Sequence, residues 1–195
     1  MPNTKIQTSR RNLYLLVVSA MLTAIGIIIP LVSPLKVVLE PASFTLASHV
    51  ALIVAMFVSP ICAAAVAVGT TAGFFLGGFP IVIVMRAATQ IIFAVVGALY
   101  LQKHPTILDK TAPMIIFAFL INLVHATAEV LVVIPFYFGN QLKDTYYSKG
   151  FLISVVLLVG VGTVLHGLVD FFIARAVWVP LKNMTRRNLQ VPSQT

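Results

Sequence analysis

The chain has 195 residues, of which 59% are hydrophobic and 9% charged, where a soluble domain carries about 25% charged residues. This balance excludes a water-soluble globule and predicts a multi-spanning membrane protein of one domain. The net charge of +8 lies at the ends and in loops, which speaks for topology and anionic headgroups rather than nucleic acid, and a single cysteine, Cys62, excludes an internal disulfide or thiolate metal site.

Lys5, Arg10 and Arg11 precede an apolar run as they would in a signal peptide. The run lasts about 20 residues and no soluble chain follows, so the first helix is expected to be retained. It spans about 13–31 and is expected to end at Pro30 and Pro34. A polar link, 36–43, contains Glu40-Pro41. A second helix, 45–58, stops at Pro60, and a third, 61–76, stops at Gly77-Gly78-Phe79-Pro80. At 1.5 Å per residue these two cover only about 21–24 Å, short of a hydrocarbon core of about 30 Å. The fourth helix spans 81–100 and the fifth 113–138, joined by the loop 102–112. After the loop 139–149, the sixth spans 150–179 and is expected to end at Pro180.

The expected fold is an all-α membrane protein with six transmembrane helices in one compact bundle. Residues 1–12 form the N-terminus, 13–179 the six-helix transmembrane domain and 180–195 a tail. Lys5, Arg10, Arg11, Lys103, Lys110, Lys182, Arg186 and Arg187 fall on one face of this map, which places both termini in the cytoplasm. Tyr14, Tyr100 and Trp178 mark the inner boundary as an aromatic belt would.

Ionisable residues interrupt the apolar stretch: His49, Arg86, His125, Glu129 and His166, with Asp170 and Arg175 further on. An Arg or Asp at a helix centre costs roughly 2.5–3.5 kcal/mol on insertion scales and usually faces a cavity or a partner. Counting along the helices puts His49, Arg86 and Glu129 roughly 7–14 Å below the outer surface. Glu40 lies above this layer, His166 near mid-membrane and Asp170 lower. Asn122, His125 and Glu129 share one face of the fifth helix, and Arg86 and Gln90 one face of the fourth. Structural readings stand beside the functional ones: an Arg86–Glu129 ion pair, His49 and His125 as satisfied core residues, His166–Asp170 as a packing hydrogen bond, and Glu40 as an ordinary loop residue. Ser19, Ala20, Thr23 and Ala24 form a small-residue surface on the first helix, suited to internal packing or to another membrane protein.

A Walker A pattern, a His-Glu-x-x-His zinc motif and a Gly-x-Ser-x-Gly elbow are all absent from the sequence. Basic residues are not interleaved with aromatics along a soluble face, so nucleic-acid binding has no support. Six spans without an internal repeat are few for a self-sufficient secondary transporter. A small binding unit that draws its energy from partners fits better.

Two runs are more specific than the helix count: Val38-Leu39-Glu40-Pro41-Ala42-Ser43-Phe44-Thr45-Leu46-Ala47-Ser48-His49-Val50, and Gly77-Gly78-Phe79-Pro80-Ile81-Val82-Ile83-Val84-Met85-Arg86-Ala87. With Ala20-x-x-x-Ala24, they resemble the S components, the substrate-binding subunits, of energy-coupling factor (ECF) vitamin transporters, and most of all the niacin-specific kind. The resemblance implies capture of a vitamin in the outer half of the bundle and no enzymatic activity, cofactor or metal. It implies partners: a transmembrane coupling subunit, contacted through Ala20 and Ala24, and two ABC ATPases. The S component is thought to topple in the membrane to release its substrate. The implied pocket regions contain Glu40, Phe79, Arg86, Gln90, Asn122, His125, Glu129 and His166, and the depth argument adds His49.

A small anionic aromatic acid suits this set. Arg86 offers a two-pronged partner for a carboxylate. Asn122 or His125 is placed to donate to a ring nitrogen, and Phe79 or Tyr137 to cover the ring. Glu129 is expected to orient Arg86 or His125. The competing readings are a pyridoxine- or pyrimidine-like vitamin or precursor, an intramembrane enzyme with a metal on His125, Glu129, His166 and Asp170, and a purely structural partner.

Overall fold

In the computed structural model, which describes residues 2–39 and 42–189, the first apolar run forms α1, Pro2–Val32. Pro30 lies inside it, and the helix stops short of Pro34, the position whose predecessor is biased away from helical geometry. The expected polar link is instead an antiparallel hairpin, β1 Lys36–Leu39 with β2 Ala42–Thr45, in the register Lys36↔Thr45 to Leu39↔Ala42. The bundle is helical as expected, with this one small hairpin added to it. Glu40 lies outside the described residues.

Thr45 closes β2, so the second helix begins five residues later than expected: α2 is Val50–Val58. The intervening turn holds Ala47 at φ 66°, left-handed backbone that costs a non-glycine residue about 1–2 kcal/mol. The turn is tied down from outside. Asp170 accepts the Ala47 and His49 backbone N–H groups, each at 2.8 Å. Ser59, with Pro60 at the first position of the next helix, then caps α3, Pro60–Leu76, accepting the Cys62 N–H at 3.1 Å.

The fourth helix, α4, is Ile81–Lys103, and α5 is Thr111–Phe138. The expected loop 139–149 contains a short helix, α6, Asp144–Ser148. The last span begins π-wound over Leu152–Val161 and continues as α7, Gly162–Leu189. Pro180 does not end α7. Trp178 is buried, and Tyr14 donates to Thr185 Oγ1 at 3.1 Å. Contacts on both sides of the proline thus outweigh the hydrogen bond it removes.

Among the described residues, four stretches are long and apolar enough to cross a membrane: Gln7–Val32, Ile81–Lys103, Thr111–Phe138 and Leu152–Thr185. Of the six transmembrane helices expected from sequence, four are these stretches, and the two expected to fall short of the core are an α3 of 17 residues and an α2 of 9 residues. At 1.5 Å per residue α2 reaches about 14 Å. All of its residues but Phe57 are buried, because a helix that is apolar all round belongs in a core. It packs on α1, α3, α4 and α7.

Helix α1 lies close on α3. A methyl group at Gly69 would meet Thr23 Cγ2 at 2.7 Å, the approach that small residues permit between membrane helices. The outer surface carries Leu16, Met21, Ile28, Ile116, Leu131 and Leu165 exposed, as a lipid-facing belt does. The main core gathers Phe57, Phe171 and Trp178. A smaller core of Val133, Tyr146, Val155 and Val159 lies toward the α6 end. Along α5 the two meet at a polar layer, since Ile121 belongs to the first core and Val133 to the second.

Candidate functional site

A cavity of about 170 Å³ opens beside the hairpin, more than tenfold the roughly 15 Å³ that one water requires. Its polar wall is His49, Arg86, Gln90, Glu129, Thr163 and His166. Its aromatic wall is Phe44, Phe74 and Phe79, with Phe74 and Phe79 stacked at 4.7 Å. Gly26 and Pro30 bring α1 to its rim.

Arg86 projects from α4 and donates to Glu129 Oε2 at 2.8 Å, while Thr163 Oγ1 donates to the same oxygen at 2.7 Å. The Glu129 side chain is 3% exposed and that of Arg86 16%. The guanidinium thus keeps a face to the cavity, and its Nε has no hydrogen-bond partner among the described residues. This is the Arg86–Glu129 contact common to the orienting expectation and to the structural ion-pair reading.

His125 sits one helical turn from Glu129 and is 1% exposed. Its Nε2 is 3.6 Å from Glu129 Oε1, beyond hydrogen-bond length. Neither ring nitrogen has a hydrogen-bond partner among the described residues. Its ring meets Phe93 at 4.4 Å and His49 at 5.0 Å, both edge to face.

The second half of the polar wall comes from α7. His166 Nε2 is 3.0 Å from Ser48 Oγ, and its ring lies 5.0 Å from that of His49. Asp170, fully buried, has Oδ2 at 3.1 Å from His49 Nδ1 and 3.3 Å from His166 Nε2. The depth count placed His166 and Asp170 in a lower layer. The turn before α2 instead reaches down to α7, so one continuous cluster forms around His49. The four-residue metal set considered from sequence accordingly divides in two, His49–His125–Glu129 and His49–His166–Asp170.

Of the residues expected at the site, His49, Phe79, Arg86, Gln90, Glu129 and His166 line the cavity. His125 lies just behind it. Asn122 is buried and donates to the Ala118 carbonyl at 2.8 Å, off the cavity lining. Tyr137 belongs to an aromatic group with Tyr147 and Phe151. Arg175 donates to the Leu108 carbonyl, away from the cavity. Sequence reasoning passed over Phe44, Ser48, Phe74 and Thr163 as site residues. The spacing Thr163, His166, Asp170 repeats the i, i+3, i+7 pattern that drew attention to α5, so Thr163 was within reach. Phe44 approaches because Gly162 has no side chain: a methyl there would meet its Cζ at 2.6 Å.

The small-residue surface of α1 divides by direction. Ser19 is buried and donates to Cys62 Sγ at 3.3 Å. Ala20 and Ala24 are exposed on the outer face.

The chain is 39% identical over 168 residues to the niacin transporter NiaX of Lactococcus lactis subsp. cremoris (strain MG1363), covering 86% of this chain and 74% of that protein. No family model and no solved structure matches the chain. Several membrane-crossing helices and this bacterial relative make it a multi-pass protein of the cell membrane. At that identity and coverage the chain belongs to the family its sequence resembles, the S components of ECF vitamin transporters.

Proposed function

We propose that this chain is the substrate-capture subunit of an ECF-type ABC importer, holding niacin as the nicotinate anion in the cavity beside the hairpin. The carrying observation is the Arg86 guanidinium, fixed by Glu129 on one nitrogen and partly exposed in the cavity lining. Such a fork matches a carboxylate in a low-dielectric site. Phe44, Phe74 and Phe79 supply apolar area for a small flat ring, and His49 and His166 supply ring nitrogens for its heteroatom. The niacin transporter among its relatives supports the same ligand.

Tyr14 and Thr185 meet, so the two terminal segments lie at one end of the bundle, and the Lys/Arg bias supports placing that end in the cytoplasm. The cavity then opens to the outer half. Uptake is driven by a transmembrane coupling subunit, docked on Ala20 and Ala24, and two ABC ATPases.

The test is equilibrium binding of a vitamin panel to the purified chain. Nicotinate should bind more tightly than nicotinamide by about 10- to 100-fold, the range of one hydrogen bond to a charged group at 1.5–3 kcal/mol. Arg86→Ala should abolish binding and Arg86→Lys should weaken it, since the fork is lost. Full nicotinate binding by Arg86→Ala would sink the assignment. Preference for a pyridoxine- or pyrimidine-like compound would keep the family and change the substrate.

A further inference from the structure

We propose that His49, His125 and Glu129 bind one divalent first-row transition-metal ion, of zinc type, in the wall of the cavity. Their donor atoms already lie within 4.8 Å of one another. A tetrahedral ion with bonds of about 2.0–2.1 Å sets its donors about 3.4 Å apart, so small ring and carboxylate rotations complete the site.

Each member has a ligating atom to spare. His125 is 1% exposed and neither of its ring nitrogens has a hydrogen-bond partner among the described residues. A buried imidazole left so is a costly arrangement that coordination would relieve. Glu129 gives Oε2 to Arg86 and Thr163, while Oε1 faces His125 at 3.6 Å. His49 has Nδ1 at 3.1 Å from the buried Asp170 carboxylate, which leaves Nε2 to ligate. A carboxylate behind a ligating histidine is the usual support for a metal. The alternative set, His49–His166–Asp170, is less free, because the Asp170 oxygens already accept two backbone N–H groups.

Two histidines, one carboxylate and an open fourth position make a donor set suited to zinc. His49 and Glu129 line the cavity, so the fourth position opens into it. Charge adds a reason that rests on the nicotinate reading. The polar cluster holds one fixed cation, Arg86, paired with Glu129, and a second carboxylate, Asp170, beside His49. With neutral histidines the cluster carries one negative charge, and an anionic ligand would make it two. A divalent ion brings the sum to zero.

The experiment uses full-length chain purified without a histidine tag and stripped with chelator. Zinc and cobalt are titrated alone, and nicotinate binding is measured with metal and with chelator. One ion per chain and a tetrahedral cobalt spectrum are expected. His125→Gln and Glu129→Gln should weaken metal binding at least tenfold, and Asp170→Asn by 10- to 100-fold, the usual effect of removing a ligand's support. Should a variant fail to fold, a zinc-dependent rise in the unfolding temperature of the unmodified chain gives the same answer. Chelation should weaken nicotinate binding at least tenfold. No bound metal with a six-coordinate aqueous cobalt spectrum overturns the proposal, and unchanged nicotinate binding would then leave the transport reading intact. One ion per chain without vitamin binding would support the metal site and overturn the vitamin assignment.

Discussion

At the scale of single residues, the cavity depends on groups that do not line it. Asp170 holds the turn at Ala47 and His49 from the other side of the bundle. Asp170→Ala leaves two backbone donors without their acceptor, at about 1–3 kcal/mol for each buried group. The expected result is a lower unfolding temperature in detergent together with lost ligand binding. Gly162→Ala acts on the opposite balance. The added methyl displaces Phe44, whose ring reaches the cavity. Because only one ring must move, nicotinate binding should fall severalfold while the unfolding temperature changes little. Equal losses in both measurements would show that Phe44 holds the fold rather than the ligand.

At the scale of elements, the α1–α3 seam is a close contact. Gly69→Val drives two methyls into Thr23, an overpacking that costs about 1–3 kcal/mol. A lowered unfolding temperature with a retained helical far-ultraviolet signal is expected. The helices themselves were legible from sequence, because apolar length and the Gly77-Gly78-Phe79-Pro80 stop are local signals. Arg86, Glu129 and His49 were legible too, since ionisable groups in hydrocarbon are rare. The hairpin was hidden in a link short enough to pass for coil. The late start of α2 was hidden as well, because Asp170, which fixes it, lies 121 residues from His49. The last helix was read to stop at Pro180, and tertiary contact carried it through. Phe74 looked like one apolar helix residue among many until the fold put it beside Phe79.

At the scale of the whole molecule, the cavity and the proposed docking face occupy separate surfaces. Ala20 and Ala24 are exposed on α1 and make no part of the cavity wall. Replacing both with leucine should leave nicotinate affinity of the isolated chain unchanged. Co-purification with the coupling subunit and vitamin uptake by cells should both be lost. A double variant that still assembles and transports would remove α1 as the docking face.

Separate surfaces need not be independent. Gly26 and Pro30 of α1 border the cavity, only a few residues beyond Ala24. One helix therefore borders both the cavity and the proposed docking face. Linkage makes the traffic between them reciprocal: whatever factor a filled cavity adds to docking affinity, docking must add to affinity in the cavity. A core that prefers the empty form expels the cargo, and one that prefers the loaded form grips it, by the same thermodynamic square. Measuring docking with and without ligand thus fixes the sign of release without watching release occur.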